Sequence, residues 1–155
     1  MDSEMLNRAL FSSDRHDWQT PDELFRQLDA EFGFEIDVCA VAENAKCQHF
    51  FSPEHDGLAQ AWRRVCRMNP PYGSCLPAWM AKTYASSLDG ATVVCLVPAR
   101  TDTRWWHDFA MRGEIRFLQG RLRFGHGRHS APFPSAIVVF RPKRYRSWAS
   151  RGKLR

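Results

Sequence analysis

Apolar and polar positions follow two rhythms along this chain, and the switches between them mark its elements. In WQTPDELFRQLDAEFGF, Leu24, Phe25, Leu28 and Phe32 recur at helical spacing, which predicts a helix. Thr20 is the expected N-cap, with Pro21 at the first helical position, Glu23 three residues after the cap and Gly33 as the stop. FEIDVCA reads as a short strand ending near Asp37, and ENAKCQHFF as a helical turn leading into a second short strand. HDGLAQAW predicts a short helix, and VCRM a strand that ends directly in MNPPYG. CLPAWMAKTYASSL predicts a helix, ATVVCLVPA a strand, and RTDTRWWHDFAMRG a further helical stretch. EIRFLQGRLRFG predicts two strands bent at Gln119-Gly120, and SAIVVFRP a last apolar strand.

Strands alternating with helices imply an α/β fold with a mostly parallel sheet and an antiparallel edge strand. The 155 residues suit one domain. Residues 1–13 are expected to form a poorly ordered lead, 14–142 the domain and 143–155 a basic tail. No apolar run approaches the ~18 to 20 residues of a membrane span, and MDSEMLNRAL carries no secretion signal, so a cytoplasmic protein without a membrane partner is expected. Cys39, Cys47, Cys66, Cys75 and Cys95 form no CxxC pair and read as reduced thiols. Cys39, Cys47, His49 and His55 match no zinc spacing, and no metal is expected. The net charge of +5 is concentrated in RPKRYRSWASRGKLR, which holds seven Lys or Arg and no acid. That tail either holds a polyanion through phosphate contacts or is a solvated terminus.

In MNPPYG the two prolines fix φ and remove two donors, so the segment is a stiff loop at a strand end. Ligands of open α/β sheets bind beyond the carboxyl ends of the strands, where MNPPYG, the Asp37 turn and PARTDT should converge. Asn69 and the Pro70 carbonyl offer two acceptors in fixed directions, and Tyr72 offers a flat face. A planar amino group such as adenine N6 can donate both hydrogens there while its ring stacks on the tyrosine. Both bonds draw its nitrogen out of conjugation and free the lone pair for attack on a methyl group.

Asn69, Pro70, Pro71 and Tyr72 match the (Asp/Asn/Ser)-Pro-Pro-(Tyr/Phe) motif of amino-group methyltransferases. The ordered set WQTPDELF, FEIDVCA, DGLAQAW, MNPPYG, LVPARTDTRWW and GRLRF resembles the phage-type DNA N6-adenine methyltransferases, a Dam-like family, over roughly residues 16 to 141. The resemblance implies a Rossmann-like fold with helices on both sheet faces, S-adenosylmethionine as cofactor, and DNA as partner, in a bacterial or phage-encoded monomer or weak dimer. It gives Thr20 and Pro21 to the methionine end of the cofactor, Asp37 and Cys39 to its pocket, and Asp56 to its adenine, with Asn69 bordering the same pocket. Asn69, Pro70 and Tyr72 would hold the target base, with Pro71 shaping the loop. DVCA stands where a glycine-rich turn is often found, which leaves two registers for Asp37: contact with the cofactor amine or with its ribose. Arg100, Thr101, Arg104, Arg121 and Arg123 are candidate DNA contacts. Of Trp105 and Trp106, adjacent on a helix, one is expected in the core and the other free to stack on DNA. The alternatives are an NPPY enzyme that methylates protein glutamine or RNA, and a DNA-binding module that has lost catalysis.

Overall fold

The computed structural model describes residues 19–124 and 130–143, so the expected lead and nearly all of the basic tail lie outside the described residues. Helix α1 spans Asp22–Phe32, and Leu24, Leu28 and Phe32 pack from it against the sheet. Gly33 ends it as expected, in the left-handed region at φ 65, donating its N–H to the Asp29 carbonyl at 2.8 Å. The start differs from expectation. The N-cap is Pro21, whose carbonyl accepts the first helical bond from Phe25 N–H at 3.0 Å, and Thr20 makes no capping bond. Asp22 and Glu23 supply the negative charge that the helix N-terminus favours. The Thr20 hydroxyl is used elsewhere, as described below.

Among the described residues six strands follow: β1 (Ile36–Asp37), β2 (His49–Phe50), β3 (Val65–Met68), β4 (Thr92–Pro98), β5 (Glu114–Phe117) and β6 (Ser135–Phe140). They form one sheet in the order β2-β1-β3-β4-β6-β5. The first four are parallel, and β6 is antiparallel to both β4 and β5. The reversed strand therefore lies inside the sheet rather than at its edge, which corrects that part of the expectation. Helix α2 (Leu76–Leu88) lies between β3 and β4 in sequence, and α3 (Arg104–Asp108) follows β4.

The pleat of β4 divides the core. Val93, Cys95 and Val97 join Trp79, Met80, Trp105 and Trp106 in one cluster. Val94 and Leu96 join Phe124, Phe133, Ile137 and the apolar side of α1 in the other. No described helix is long and apolar enough to cross a membrane.

Three further expectations fail for identifiable reasons. HDGLAQAW is not a helix: a 3₁₀ turn at Pro53–His55 ends with Asp56 at φ 50, and the chain then passes close against β1. A Cβ on Gly57 would stand 2.4 Å from the Val38 carbonyl oxygen, and the Trp62 indole N–H donates to the Gly57 carbonyl at 2.7 Å. RLRF is not a strand: it leaves the outer edge of β5 unpaired, Leu122 and Phe124 turn into the core beside Phe133, and the Leu122 carbonyl accepts from the Ala131 N–H at 2.8 Å. Trp105 and Trp106 are both buried, at 7% and 3% exposure, so neither ring is free to stack on DNA.

Candidate functional site

The site forms at the carboxyl ends of β1 and β3. Asp37 on β1 and Arg67 on β3 are register partners across the parallel pair. Asp37 is fully buried and Arg67 is 7% exposed. A lone charge at either position would carry a large desolvation cost, so each supplies the partner the other needs. Arg67 Nη1 donates to Asp37 Oδ2, Nη2 donates to Thr20 Oγ1, and the guanidinium lies 5.7 Å from the Phe25 ring centroid. The Lys46 backbone N–H also donates to Asp37 Oδ2, at 3.3 Å, while its ammonium pairs with Asp22. Asp37 Oδ1 is buried and has no hydrogen-bond partner.

Thr20 joins this pair to the NPPY loop. Its Oγ1 also accepts from Asn69 Nδ2 at 3.3 Å, and Asn69 Oδ1 accepts from the Tyr72 hydroxyl at 3.4 Å. The same hydroxyl reaches the Leu96 carbonyl at 3.3 Å. Burial raises the Tyr72 pKa well above the usual phenol range, so the group remains a donor. Its ring meets Phe133 and Phe124 edge-on, with centroids at 5.5 and 6.3 Å, and these contacts fix the plane of the ring. Asn69, Pro70 and Pro71 are all buried.

Thr20, Asp37, Asn69 and Tyr72 are thus brought together in one bonded network. Pro21 adjoins it as the α1 cap, and Cys39 is buried just past β1. Asp56 belongs to the turn whose next residue, Gly57, abuts the Val38 backbone, so it lies beside the same strand end. The expected DNA contacts divide. The Arg100 guanidinium sits 5.6 Å from the Phe133 ring, and Arg121 donates to the Ala131 carbonyl at 3.4 Å, so both flank the aromatic group around Tyr72. Arg123 is exposed on the same segment as Arg121. Thr101 and Arg104 lie at the approach to α3, both exposed, with Arg104 paired to Asp108 at 3.3 Å. Trp105 belongs to the core and drops out.

Sequence reasoning missed Arg67. The available signal was an arginine inside the apolar strand VCRM, next to the motif: a charge in such a strand requires a partner, and Asp37 is the acidic residue of the neighbouring strand.

The unpartnered Asp37 Oδ1 is an acceptor suited to an ammonium, and a guanidinium stands beside it. These residues fit the amino-acid end of S-adenosylmethionine. None of the five cysteines is joined in a disulfide, and among the described residues no group of three or more His, Cys, Asp or Glu is placed to hold a metal ion.

Comparison with known proteins supports the same reading. Residues 8–150 match the family DNA N-6-adenine-methyltransferase (Dam), a span that contains every side chain of the site. The chain is similar to the DNA N-6-adenine-methyltransferase of Haemophilus phage HP1 (strain HP1c1), with 33% identity over 142 residues, covering 84% of this chain and 82% of the phage protein. It is also similar to the DNA N-6-adenine-methyltransferase of Escherichia phage T1, with 29% identity over 109 residues, covering 68% of this chain and 45% of that protein.

Proposed function

Since the chain belongs to the DNA N-6-adenine-methyltransferase (Dam) family, we propose that it transfers the methyl group of S-adenosylmethionine to the exocyclic amino group of adenine in DNA. When bound, S-adenosylmethionine supplies an electrophilic methyl carbon on a sulfonium. Thr20, Asp37 and Arg67 would hold the amino-acid end of this donor, and Asp56 would contact its adenine. The reading is carried by one observation: the Asn69 amide and the Tyr72 hydroxyl are bonded to each other and, through Thr20, to the Asp37–Arg67 pair.

Asn69 Oδ1, oriented by the Tyr72 hydroxyl, accepts one hydrogen of the target N6. The Pro70 carbonyl accepts the other hydrogen, and the nitrogen lone pair is left for in-line attack on the methyl carbon: the N–C bond would form as the C–S bond breaks, S-adenosylhomocysteine would leave as a neutral thioether, and the N6 cation, now strongly acidic, would lose a proton to water without a strong base. A base in a duplex must leave the stack at a cost of a few kcal/mol. Stacking on an aromatic ring returns about 1 to 3 kcal/mol per base, which offsets most of that cost. Positioning the nitrogen about 3 to 3.5 Å from the methyl carbon then supplies most of the acceleration. Arg100, Arg121 and Arg123, around the Tyr72 aromatic group, contact the DNA backbone. The two core clusters, one under α1 and one under α2 and α3, support a Rossmann-like arrangement with helices on both faces. The phage sources of the relatives support action in a bacterial cytoplasm.

The test is transfer of tritiated methyl to adenine-containing DNA, followed by digestion to nucleosides. Label in N6-methyldeoxyadenosine is the expected result. Label in methylglutamine of a protein substrate, with none in DNA, would overturn the proposal in favour of the glutamine-directed reading.

A further inference from the structure

We propose that Arg67 is a selectivity residue for the methyl donor: held among Asp37, Thr20 and Phe25, it makes the pocket prefer a ligand end that carries both an ammonium and a carboxylate. The inference rests on the methyl-transfer reading and deepens it.

The hydrogen-bond pattern separates Arg67 from an ion pair that only stabilises a fold. An arginine committed to a carboxylate commonly grips both oxygens in a fork. Arg67 instead divides its two terminal nitrogens between Asp37 Oδ2 and Thr20 Oγ1, and Asp37 Oδ1 is left buried and unpartnered. The fold does not demand a charge here. Phe25, Leu28, Phe34 and Val94 surround the position, and replacing a buried ion pair by apolar side chains is often neutral or stabilising. A charge retained at the end of β3, beside Thr20 and Asn69, is explained by a ligand.

Charge balance then gives the selectivity. Asp37 and Arg67 sum to zero inside a dry site, so a zwitterionic amino-acid end adds no net charge. Its ammonium has Asp37 Oδ1 as acceptor, and its carboxylate has the guanidinium. An otherwise identical ligand without the carboxylate brings an extra positive charge to a carboxylate that Arg67 already neutralises. Without Arg67, the bare Asp37 carboxylate favours that cationic ligand instead.

Calorimetry with three adenosine thioethers tests this, using S-adenosylhomocysteine, its decarboxylated aminopropyl analogue, and methylthioadenosine, which has neither charged group. The wild-type protein is expected to prefer S-adenosylhomocysteine over the aminopropyl analogue by about tenfold to a hundredfold, the value of a hydrogen bond to a charged group. Arg67→Met should reverse that order. The double variant Asp37→Asn/Arg67→Met, which leaves no unpaired buried charge, should bind all three ligands within about threefold, and it carries the test if Arg67→Met does not fold. The wild-type preference surviving in either variant would overturn the proposal. Failure of the wild-type protein to bind any of the three would instead remove the methyl-donor reading beneath it.

Discussion

Replacing Asn69 by alanine separates the work of this residue in the fold from its work in catalysis. In the fold, Asn69 donates to Thr20 Oγ1 at 3.3 Å and accepts from the Tyr72 hydroxyl at 3.4 Å, both long bonds. Neither partner is stranded by its loss, because Tyr72 keeps the Leu96 carbonyl and Thr20 keeps Arg67. Two neutral hydrogen bonds at the weak end of the usual range amount to about 1 to 2 kcal/mol. Catalysis should suffer more, since in the proposed mechanism the amide oxygen accepts from the amino group whose charge changes as it attacks. Removing one such preorganised group typically lowers turnover about 10²- to 10³-fold, or roughly 2.7 to 4 kcal/mol. The variant should therefore melt as a folded protein, bind S-adenosylhomocysteine within about threefold of wild type, and transfer tritium to DNA at least about 100-fold more slowly. Transfer near the wild-type rate would refute the role of the amide. Parallel loss of binding and transfer would show that Asn69 acts only by supporting Thr20.

Gly57→Ala should destabilise by about 1 to 3 kcal/mol, because the new Cβ meets the Val38 carbonyl at 2.4 Å and the Trp79 ring at 3.2 Å; an unchanged denaturant midpoint would show that the turn does not abut β1. Thr20→Val removes the acceptor shared by Arg67 and Asn69, so it should weaken donor binding and slow transfer together; a change in only one would break the proposed link. The Arg116 guanidinium holds the Glu31 carboxyl below its ordinary pKa of 4.5, and Arg141 with Arg116 does so for Glu114. Folded values below unfolded ones mean stability that is present above about pH 4.5 and lost as pH falls through the lowered values. These carboxylates are 45% and 44% exposed, so the contribution is at most about 1 kcal/mol. Arg116→Gln should lie closer to wild type in urea at pH 3 than at pH 7, and an equal gap at both would exclude the linkage. Burial, with Asp37 nearby, pushes the Cys47 thiol up to about 11, so peptide mapping after maleimide at pH 8 should show far slower labelling of Cys47 in the native protein than in the denatured chain. Equal rates would refute this environment.

The elements legible in the sequence were those in which local signals agreed with tertiary packing. VCRM and MNPPYG gave the end of β3 because prolines cannot continue a ladder, and the spacing of Leu24, Leu28 and Phe32 gave the packed side of α1. The misreadings share one cause, a long-range contact that outweighs a local pattern. Leu58 and Trp62 have helical spacing, yet the closeness of Gly57 to β1 and the bond from the Trp62 indole to Gly57 hold that segment as a turn. Leu122 and Phe124 alternate as in a strand and do pack inward, but their partners are Phe133 and the Ala131 backbone, 7 to 11 positions along the chain, and not the open edge of β5. Thr20 carries a capping signature, yet its hydroxyl is taken by a residue 47 positions along the chain.

That last contact explains why the motif residues were legible while their support was not. NPPY can be read because its chemistry is local: two prolines stiffen four consecutive residues, and the acceptors and the ring follow from them. The polar cluster proposed for the donor is assembled from three distant segments, around residues 20, 37 and 67, and no spacing rule connects them. They meet because β1 and β3 are paired with Asp37 opposite Arg67, and because α1 returns across the sheet with Thr20 at its entry. A hydroxyl that accepts from a guanidinium on one side and from an amide on the other then couples the two halves of the site. The Asp37–Arg67 pair, proposed for the methyl donor, and the NPPY loop, proposed for the amino group, are therefore joined through the Thr20 oxygen, which accounts for the use of Thr20 here instead of at the helix cap.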